Sequence, residues 1–405
     1  MTKQKIYDVA IIGGGLSGLT MACLLGQSGF SVLCLDRESK VQTLQADFDG
    51  RTTAISYGSR AVLQEAGVWD LCSALTAPIL DIQILDGSSS VLLNFLSRDV
   101  DDKEFGFIIE NRLLRAAQYQ CLDNLKTVDH FDSIIVNDIQ LQDHYADIQT
   151  DKAAFKARLI IGADGKQSFV REWLNVPYHE LSYAQSAIVC CVEHTNPHQN
   201  VAIEHFRDEG PFAVLPMNDD PVTGAHRSSL VWTVHGTDRR MIECDLDIFN
   251  TALQTRFPKF YGDVKAITPR SVWPLSLKHA HAYVGTRAVI IAEAAHAMHP
   301  IAGQGLNVGM RDIKILHDML CKARDKKQDI SDAALLKNYQ EKRHFDTMAM
   351  MAATDILNRL FSNSFPMLGL ARKIGIRMVD RFPPAKQFFM RQAMGLGFDA
   401  KRHSS

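Results

Sequence analysis

The sequence predicts an α/β fold in which a discontinuous Rossmann-like domain surrounds an inserted antiparallel-sheet domain, followed by a helical C-terminal region. Three observations predict it. Residues 5–36 have the pattern of a strand, a glycine-rich turn, a helix and a second strand, as in the βαβ unit of a parallel sheet. Residues 181–234 contain short strand-like runs separated by turn residues. A strand, loop and helix pattern returns at 289–312, so the strand-rich block is predicted to be an insertion.

The predicted domains are made of separate stretches of the chain. A chain of 405 residues has room for two or three domains with a large core. The expected boundaries are 1–75, 98–178 and 278–350 for the Rossmann-like domain, 76–97 and 179–277 for the inserted sheet domain, and 351–405 for a basic, amphipathic helical region.

Composition favours a cytoplasmic protein that does not bind nucleic acid. The formal net charge is −2, so no strong global field attracts a polyanion. We expect neither a secretory leader nor a membrane span, because the first strand begins near residue 5 and no apolar run approaches 18 residues. The eight cysteines are scattered, without the spacing of a metal site, and are predicted to be reduced thiols.

The N-terminal motif predicts dinucleotide binding. Gly13, Gly15 and Gly18 follow a buried strand in the pattern G-x-G-x-x-G and precede an apolar helix. Glycines at these positions allow a tight turn and a close approach to a pyrophosphate at the helix N-terminus. Asp36 ends the second strand, where an acid accepts hydrogen bonds from a ribose. This motif by itself does not distinguish NAD from FAD.

A second loop of this kind lies nearly 280 residues further on. An apolar strand, Val289–Ile291, is followed by Glu293, a turn containing Pro300 and Gly303, and a helix predicted to begin at about Leu306. Such a loop presents backbone N–H groups to an electron-rich ligand. Two ligand-binding loops so far apart predict one long cofactor that is held at both ends.

Three motifs in order and spacing carry a family resemblance: GGGLSG at 13–18, GADG at 162–165 and AEAAHAMHPIAGQGLNVGMRD at 292–312. Together they resemble the FAD-dependent aromatic hydroxylases, which are single-component flavoprotein monooxygenases. The run HPIAGQGLN is most similar to the corresponding sequence of the ubiquinone-biosynthesis hydroxylases that act on polyprenylated phenols. The runs DGRTTAIS, GPFAVLPM, WPLSL and RKIGIRMVD extend the resemblance over nearly the whole chain.

The resemblance implies an extended FAD and assigns a set of cofactor contacts. The first loop and Asp36 would hold the ADP half, and Arg51 would offer its guanidinium to the pyrophosphate. Asn111 would make a polar contact, and Asp164 would belong to a fingerprint associated with both FAD and NAD(P)H. Each has an alternative: Arg51 as a surface arginine, Asn111 on a solvated helix face, and Asp164 in a strand-ending turn.

The flavin end is implied to involve Glu293 and the loop that follows it. Glu293 would accept a hydrogen bond from the ribityl chain. Most relatives carry Gly-Asp where this chain has Ala292-Glu293, and the alanine matters only if its backbone requires a positive φ. The residues expected to lie against the flavin ring are Pro300, Gly303, Gln304, Gly305, Leu306 and Asn307. No single catalytic residue is assigned within this loop.

The implied reaction begins with reduction of FAD by NAD(P)H. Dioxygen then forms a C4a-hydroperoxyflavin, and an electron-rich phenol ring attacks its distal oxygen. The helix beginning near Leu306 would stabilise the reduced flavin through its N-terminus. No metal is expected: His296 and His299 lack further ligands at metal spacing and are interpreted as packed loop residues.

The expected partners are a polyprenyl-phenol substrate, molecular oxygen and other ubiquinone-biosynthesis proteins. The inserted sheet is predicted to form the substrate wall, with Phe212, Val214, Leu215 and Pro216 as candidates or, alternatively, as ordinary core. The tail from Ile356 onward interleaves basic and apolar residues, which favours peripheral contact with the inner face of the cytoplasmic membrane. A tail helix that packs on the body is the alternative.

Two other functions stay open at this point. A hydroxylase of a small soluble aromatic acid would need a fixed cation in its pocket, and the sequence does not locate one. A flavoprotein that no longer activates oxygen could serve as a scaffold in a quinone-biosynthesis assembly.

Overall fold

The computed structural model describes residues 5–87, 93–100, 102–207, 210–236, 240–298, 303–361 and 383–396. Within these ranges the strands β1 to β20 are, in chain order, Ile6–Ile12, Val32–Leu35, Thr52–Ser56, Ala77–Ile79, Asp81–Asp86, Leu93–Leu96, Gly106–Glu110, Val128–Phe131, Val136–Leu141, Ala146–Thr150, Ala154–Gly162, Tyr178–His194, Val201–Arg207, Gly210–Pro216, His226–His235, Val264–Ala266, Ser271–Ala280, Val284–Gly285, Ala288–Ile290 and His296–Ala297.

The helices α1 to α11 are Leu16–Gln27, Lys40–Gln45, Tyr57–Glu65, Trp69–Cys72, Asn111–Asp123, Phe169–Trp173, Arg240–Glu243, Leu246–Arg256, Gln304–Asp325, Ala333–Phe361 and Pro383–Ala393. The predicted helices occur, but α1 and α9 begin two or three residues earlier than expected. Their first turns include glycines, which sequence periodicity does not assign to a helix.

The first sheet has the parallel core of a nucleotide-binding fold. Its neighbouring parallel strands are β19, β11, β1, β2 and β8. Val9, Ala10 and Ile11 of β1 are fully buried, as is usual for a parallel strand covered on both faces. These strands come from three distant stretches of the chain, so the predicted discontinuous α/β domain is confirmed.

The second sheet is the predicted insertion. Its strand order is β20-β17-β12-β15-β14-β13-β5-β6, with β16 beside β12. All of its pairs are antiparallel except β13 with β5, which are parallel. The edge strand β20 belongs to the third sequence motif, which begins just after β19 of the first sheet. This motif therefore connects the first sheet to the second.

A small third sheet, not predicted from the sequence, lies against the second. Its antiparallel order is β3-β7-β4. An apolar cluster that includes Ile79, Ile108, Phe206 and Met217 joins the two sheets. Sequence alternation identifies such short strands poorly, because their partners are distant in the chain.

The described part of the C-terminal region packs on the body. Met390 of α11 and Met394, which follows the helix, are 0% and 2% exposed and join the same apolar cluster. The Gly58 N–H donates to the Met394 carbonyl at 2.8 Å, and Lys386 pairs with Asp99 at 3.3 Å. The alternative of a packed tail helix therefore holds for residues 383–396, and the RKIGIRMVD run lies outside the described residues. Among the helices described, none is long and apolar enough to cross a bilayer.

Candidate cofactor and substrate site

A cavity of about 1320 Å³ runs from the carboxyl ends of β1 and β2 to the N-terminus of α9. All three sequence motifs contribute to its wall. Nine of the predicted site residues line it: Gly13, Gly15, Asp36, Arg51, Asn111, Asp164, Glu293, Gly305 and Leu306. Gly18, Gly303, Gln304 and Asn307 lie outside this lining, and Pro300 and His299 lie outside the described residues.

The glycine turn is required by close approach between backbones. Gly13 has φ +108°, and a Cβ there would lie 2.5 Å from the Ala163 carbonyl oxygen. A Cβ at Gly18 would lie 1.9 Å from the Gly13 carbonyl oxygen. The first and second fingerprints are thus in direct contact, which only glycine permits.

Gly15 has the opposite environment. It is the N-cap of α1, without a side-chain cap, and a Cβ at this position would meet no atom within 4 Å. Gly15, Leu16 and Ser17 at this helix N-terminus line the cavity. This arrangement fits a pyrophosphate.

Asp36 is a buried carboxylate with an unused oxygen. The residue is 4% exposed, its Oδ1 accepts from the Glu38 N–H at 3.1 Å, and its Oδ2 has no hydrogen-bond partner among the described residues. Burial raises the pKa of this carboxyl group, and the nearby Arg115 opposes that rise. A Cβ at Gly14 would lie 2.1 Å from Oδ2. The free oxygen fits a ribose hydroxyl, as the sequence predicts.

Arg115 supports this end of the cavity and was not predicted. Its Nη2 donates to the Gly14 carbonyl at 3.0 Å and pairs with Glu38 at 2.8 Å. The same atom lies 3.7 Å from Asp36 Oδ2. Its position one helical turn after Asn111 was the available signal, because i and i+4 residues share a helix face.

Two of the side chains predicted to contact the cofactor in the middle of the cavity, Arg51 and Asn111, have partners within the protein. The Arg51 Nε donates to Asp49 at 2.6 Å. The Asn111 Oδ1 accepts from the Thr53 hydroxyl at 2.6 Å. Their side chains are held at the cavity wall, and their contacts with a cofactor stay predictions.

Asp164 organises the turn that leads into α6. Its Oδ1 accepts from the Ser168 hydroxyl at 2.5 Å, and its Oδ2 accepts from the Val170 N–H at 3.1 Å. Burial raises its pKa, and these hydrogen bonds oppose the rise. The side chain thus performs the turn-forming role of the alternative interpretation, while the residue also lines the cavity.

The turn at Ala292–Ala294 has a strained backbone. Ala292 has φ +51°, the left-handed region that glycine favours. Ala292, at the position where most relatives carry glycine, therefore has the positive φ at which an alanine is strained. The adjoining Glu293 is exposed toward the cavity, and its contact with a ribityl chain stays a prediction.

A buried ionic network holds this turn and was not predicted from the sequence. Asp312 is fully buried, and its Oδ2 accepts from the Ala292 N–H at 2.9 Å and contacts His296 Nε2 at 2.6 Å. Its Oδ1 accepts from Arg343 Nε at 2.6 Å. Burial alone would raise the pKa of Asp312, but His296 and Arg343 outweigh it and lower the pKa to about 2. His296 therefore has the packed role expected of it.

Two further side chains, Arg171 and Asn307, hold the turn at Ala292–Ala294 and the start of α9 in place. Arg171 is 2% exposed, and its guanidinium donates to the Ala294 and Lys166 carbonyls at 3.0 Å each. Asn307 accepts from the Ser56 N–H at 2.9 Å and donates to the Ala54 carbonyl at 3.0 Å. The Asn307 side chain thus ties α9 to β3, so a cofactor contact would have to come from its backbone.

The N-terminus of α9 opens onto the cavity. Gly303 is its N-cap, with φ +61°, and a Cβ there would lie 2.8 Å from Ala54 Cβ. A Cβ at Gly305 would meet no atom within 4 Å. Gln304 is 7% exposed. Gly305 is therefore the position in this turn where a planar ring could approach the backbone.

The second sheet has two faces of different character. Phe212 and Val214 of β14 pack with Trp232 and with Phe249 of α8, on the outer face. Ser229 lies on the inner face, where the Thr52 hydroxyl donates to its hydroxyl at 2.6 Å. The predicted wall residues Phe212 and Val214 are therefore core. Leu215 lies on the inner face and packs into the cluster between the second and third sheets.

An ionisable residue stands in the middle of the inner face. Glu204 of β13 shares its face with Ala202 and Phe206, because side chains alternate along a strand. Its Oε1 is buried without a hydrogen-bond partner among the described residues. Burial alone raises its pKa to about 7.

One group of acids and histidine among the described residues has metal-ligand spacing. It consists of Glu65, His317 and Asp318. Lys314 Nζ lies 3.1 Å from Glu65 and 2.6 Å from Asp318, so a lysine already neutralises these carboxylates.

Comparison with known proteins agrees with this geometry. The profile of the FAD binding domain family matches residues 6–354. The chain is 39% identical to ubiquinone hydroxylase UbiL of Rhodospirillum rubrum, over 97% of this chain and 91% of that protein. It is 30% identical to the human mitochondrial ubiquinone biosynthesis monooxygenase COQ6, over 96% and 92%.

Solved structures share the fold. The p-nitrophenol 4-monooxygenase PnpA of Pseudomonas putida superimposes with a TM-score of 0.80 at 17% identity, over 98% of this chain and all of that one. PqsL, a probable FAD-dependent monooxygenase of Pseudomonas aeruginosa, gives 0.75 at 19% identity, over 92% and 99%. Motifs, fold and relatives therefore agree: the chain belongs to the FAD-dependent aromatic hydroxylases, in the group that includes the ubiquinone hydroxylases.

Proposed function

We propose that this protein hydroxylates the aromatic ring of a polyprenylated phenol in ubiquinone biosynthesis, with FAD as cofactor and NAD(P)H and dioxygen as co-substrates. The observation that carries the proposal is the joint presence of a dinucleotide-shaped cavity and an inner sheet face bearing a carboxyl group. The relatives named as ubiquinone hydroxylases and monooxygenases, aligned over almost their full length, support the same substrate class.

The cavity fits FAD. The unpartnered Asp36 Oδ2 and the open space at Gly15 are suited to the ribose and pyrophosphate, and Gly305 leaves room for a ring. In this proposal Gly13, Gly15, Gly18 and Asp36 hold the ADP part, Arg51, Asn111 and Asp164 border the middle, and Glu293, Pro300, Gly305, Leu306 and Asn307 border the flavin. Bound FAD would supply hydride acceptance and oxygen activation.

The protein's own groups provide electrostatics and exclusion of water. The first turn of α9, open at Gly305, directs backbone N–H groups toward the cavity and would stabilise negative charge on the reduced ring. The network around Asp312 holds the facing turn in place, so little reorganisation is needed during the reaction.

The charge of the inner face favours a neutral phenol over an aromatic acid. Glu204 would repel a carboxylate substrate. Arg227, also on this face, is paired with the buried Glu110 at 3.3 Å and donates to the Asn218 carbonyl at 3.0 Å. A free fixed cation, which the aromatic-acid alternative requires, is therefore missing from the described residues of this face.

Membrane contact and location are part of the proposal. A polyprenyl phenol resides in the bilayer, so we expect a cytoplasmic protein that attaches to the inner membrane face and works beside other ubiquinone-biosynthesis proteins. The support is the basic, amphipathic sequence of the tail. Liposome flotation of the full chain and of a tail-deleted chain tests it; equal flotation of the two refutes a role for the tail.

The function itself is tested in two steps. Purified protein should carry yellow FAD and oxidise NAD(P)H faster when a prenylphenol is present, and mass spectrometry should detect the hydroxylated ring. Deletion of the gene should cause an under-hydroxylated prenylphenol to accumulate. An unchanged quinone pool would favour the aromatic-acid alternative, and FAD that NAD(P)H never reduces would favour the scaffold.

A further inference from the structure

Glu204 interrupts an otherwise aliphatic row on the inner face of the second sheet. The row crosses six strands and is defined by direct cross-strand pairs. Its members, from β6 to β12, are Leu93, Ile84, Glu204, Ala213, Val231 and Val189. A carboxyl group at the centre of such a row destabilises the fold unless it meets a partner.

This row is incompletely covered. Ile84, Glu204, Val231 and Val189 all keep partial exposure, whereas Ile203, next to Glu204 on the outer face, is 1% exposed. The neighbouring row on one side contacts β3 through Ser229. The neighbouring row on the other side contains Trp273, which lines the cofactor cavity. The row therefore lies on the same sheet face as Trp273 of the cavity wall.

The carboxyl group of Glu204 has an unused hydrogen-bonding capacity in this space. Its Oε1 is buried and has no partner among the described residues. Titratable groups on this face or on the described elements that pack over it include Asp86, Cys191, Glu193, Tyr57 and the Arg227–Glu110 pair. Burial is the one cause of the raised pKa of Glu204. An acceptor placed this way fits a ligand with one hydroxyl group and otherwise apolar surface.

We propose that Glu204 accepts the hydrogen bond, and then the proton, of the substrate's phenolic hydroxyl group. The inference rests on the proposed function, because it needs a phenol substrate. In the step, the phenolic O–H bond breaks, its electron pair stays on the phenolic oxygen, and the proton moves to the Glu204 carboxylate. The resulting phenolate is richer in electrons, so its ring is a better nucleophile toward the transferred oxygen atom. NAD(P)H and dioxygen supply the redox change, and the proton leaves Glu204 after hydroxylation.

The environment suits this role. A general base works best when its pKa lies near the working pH, and burial raises the pKa of Glu204 to about 7. The aliphatic neighbours contribute to the burial that raises this pKa. The same neighbours give the ring an apolar surface on which to lie.

Binding tests the hydrogen bond without requiring turnover. The holoenzyme is titrated with 2-geranylphenol and with its methyl ether, and the change in flavin absorbance is followed. The wild type should prefer the phenol by roughly tenfold or more, since a charged acceptor is used, and Glu204→Gln should lose most of that preference. Equal affinities of the wild type for the two compounds overturn the proposal. If the wild type binds neither, the proposed function fails and this inference fails with it.

Turnover tests the proton transfer. Glu204→Gln should lower kcat for ring hydroxylation by about 100-fold or more and remove the loss of activity that the wild type shows as the pH falls through about 7. Glu204→Asp should retain that pH limb at a reduced rate. The matched control is Glu193→Gln, in the same sheet but paired with Lys265 at 3.3 Å, and it should behave as wild type. A wild-type rate and pH profile in Glu204→Gln, with hydroxylation still detected in the wild type, refutes the role of Glu204 and leaves the proposed function standing.

Discussion

Gly309 of α9 packs against Ala292 in the strained turn. The coupling free energy between these two positions can be measured with a double-mutant cycle. Ala292 has φ +51°, and a Cβ added at Gly309 would lie 2.8 Å from Ala292 Cβ. The other two atoms near that Cβ, Ala292 Cα and Ser17 Oγ, are at 3.4 Å, which is close to ordinary contact. One methyl group therefore fits between the two residues, and two do not.

The magnitudes follow from this geometry. In Gly309→Ala, improved helix propensity contributes about 1 kcal/mol, and overpacking opposes it by about 1–3 kcal/mol. In Ala292→Gly, relief of the left-handed backbone gains about 1–2 kcal/mol. The lost buried methyl and the extra freedom of the unfolded chain offset most of that gain. The double variant has no clash and should be at least as stable as wild type. The predicted coupling free energy is therefore about 1–3 kcal/mol in favour of the double variant.

The assay is urea unfolding of FAD-free protein, followed by circular dichroism for the wild type, both single variants and the double variant. Removing FAD prevents differences in cofactor affinity from entering the comparison. The control is Gly26→Ala, in a helix packed elsewhere in the core, where the added Cβ would lie 2.5 Å from Val128 Cγ2. Ala292→Gly should not restore the stability of this variant. Free energies of Gly309→Ala and Ala292→Gly that add within about 0.5 kcal/mol would refute the reasoning.

Three further predictions concern charged groups. Asp36→Ala should weaken FAD binding by roughly 10- to 100-fold, since it removes a charged acceptor; fluorescence of released flavin measures this, and an unchanged Kd contradicts it. Glu204→Gln should stabilise FAD-free protein at pH 8 by up to about 3 kcal/mol, from a pKa raised from 4.5 to about 7 at 1.36 kcal/mol per pKa unit. The sign follows because the wild-type unfolded chain ionises above pH 4.5 while the folded chain stays protonated until about pH 7; urea midpoints that differ equally at pH 4 and pH 8 refute it. Asp312→Asn should destabilise the fold by about 1.5–3 kcal/mol, because Arg343 would lose one of its two carboxylate partners and keep only Asp346; a thermal midpoint equal to wild type contradicts this.

The substrate face shows why sequence reasoning reached only part of the site. Side chains alternate between the two faces along β14, but this apolar strand does not indicate which face meets the cofactor. Phe212 and Val214 were two of the four wall candidates, yet they pack with Trp232 and with Phe249 of α8 on the outer face. Glu204 carried no motif, and its burial, its unused Oε1 and its raised pKa arise from neighbours on other strands.

By itself, the sequence determined the fold class and the binding of a dinucleotide, because these depend on local patterns, and the family resemblance of its three motifs implied FAD and the chemical family. Glycines at fixed spacing after a strand, an acid at the end of the next strand and a second glycine-rich loop encode backbone geometry that few other residues can adopt. Only the tertiary structure decided that Ala292 has a positive φ, that Asp312 joins His296 and Arg343, and that Glu204 lies on the inner face of the second sheet. Those properties come from contacts between residues far apart in the chain, and burial and charge pairing exist only once those contacts have formed.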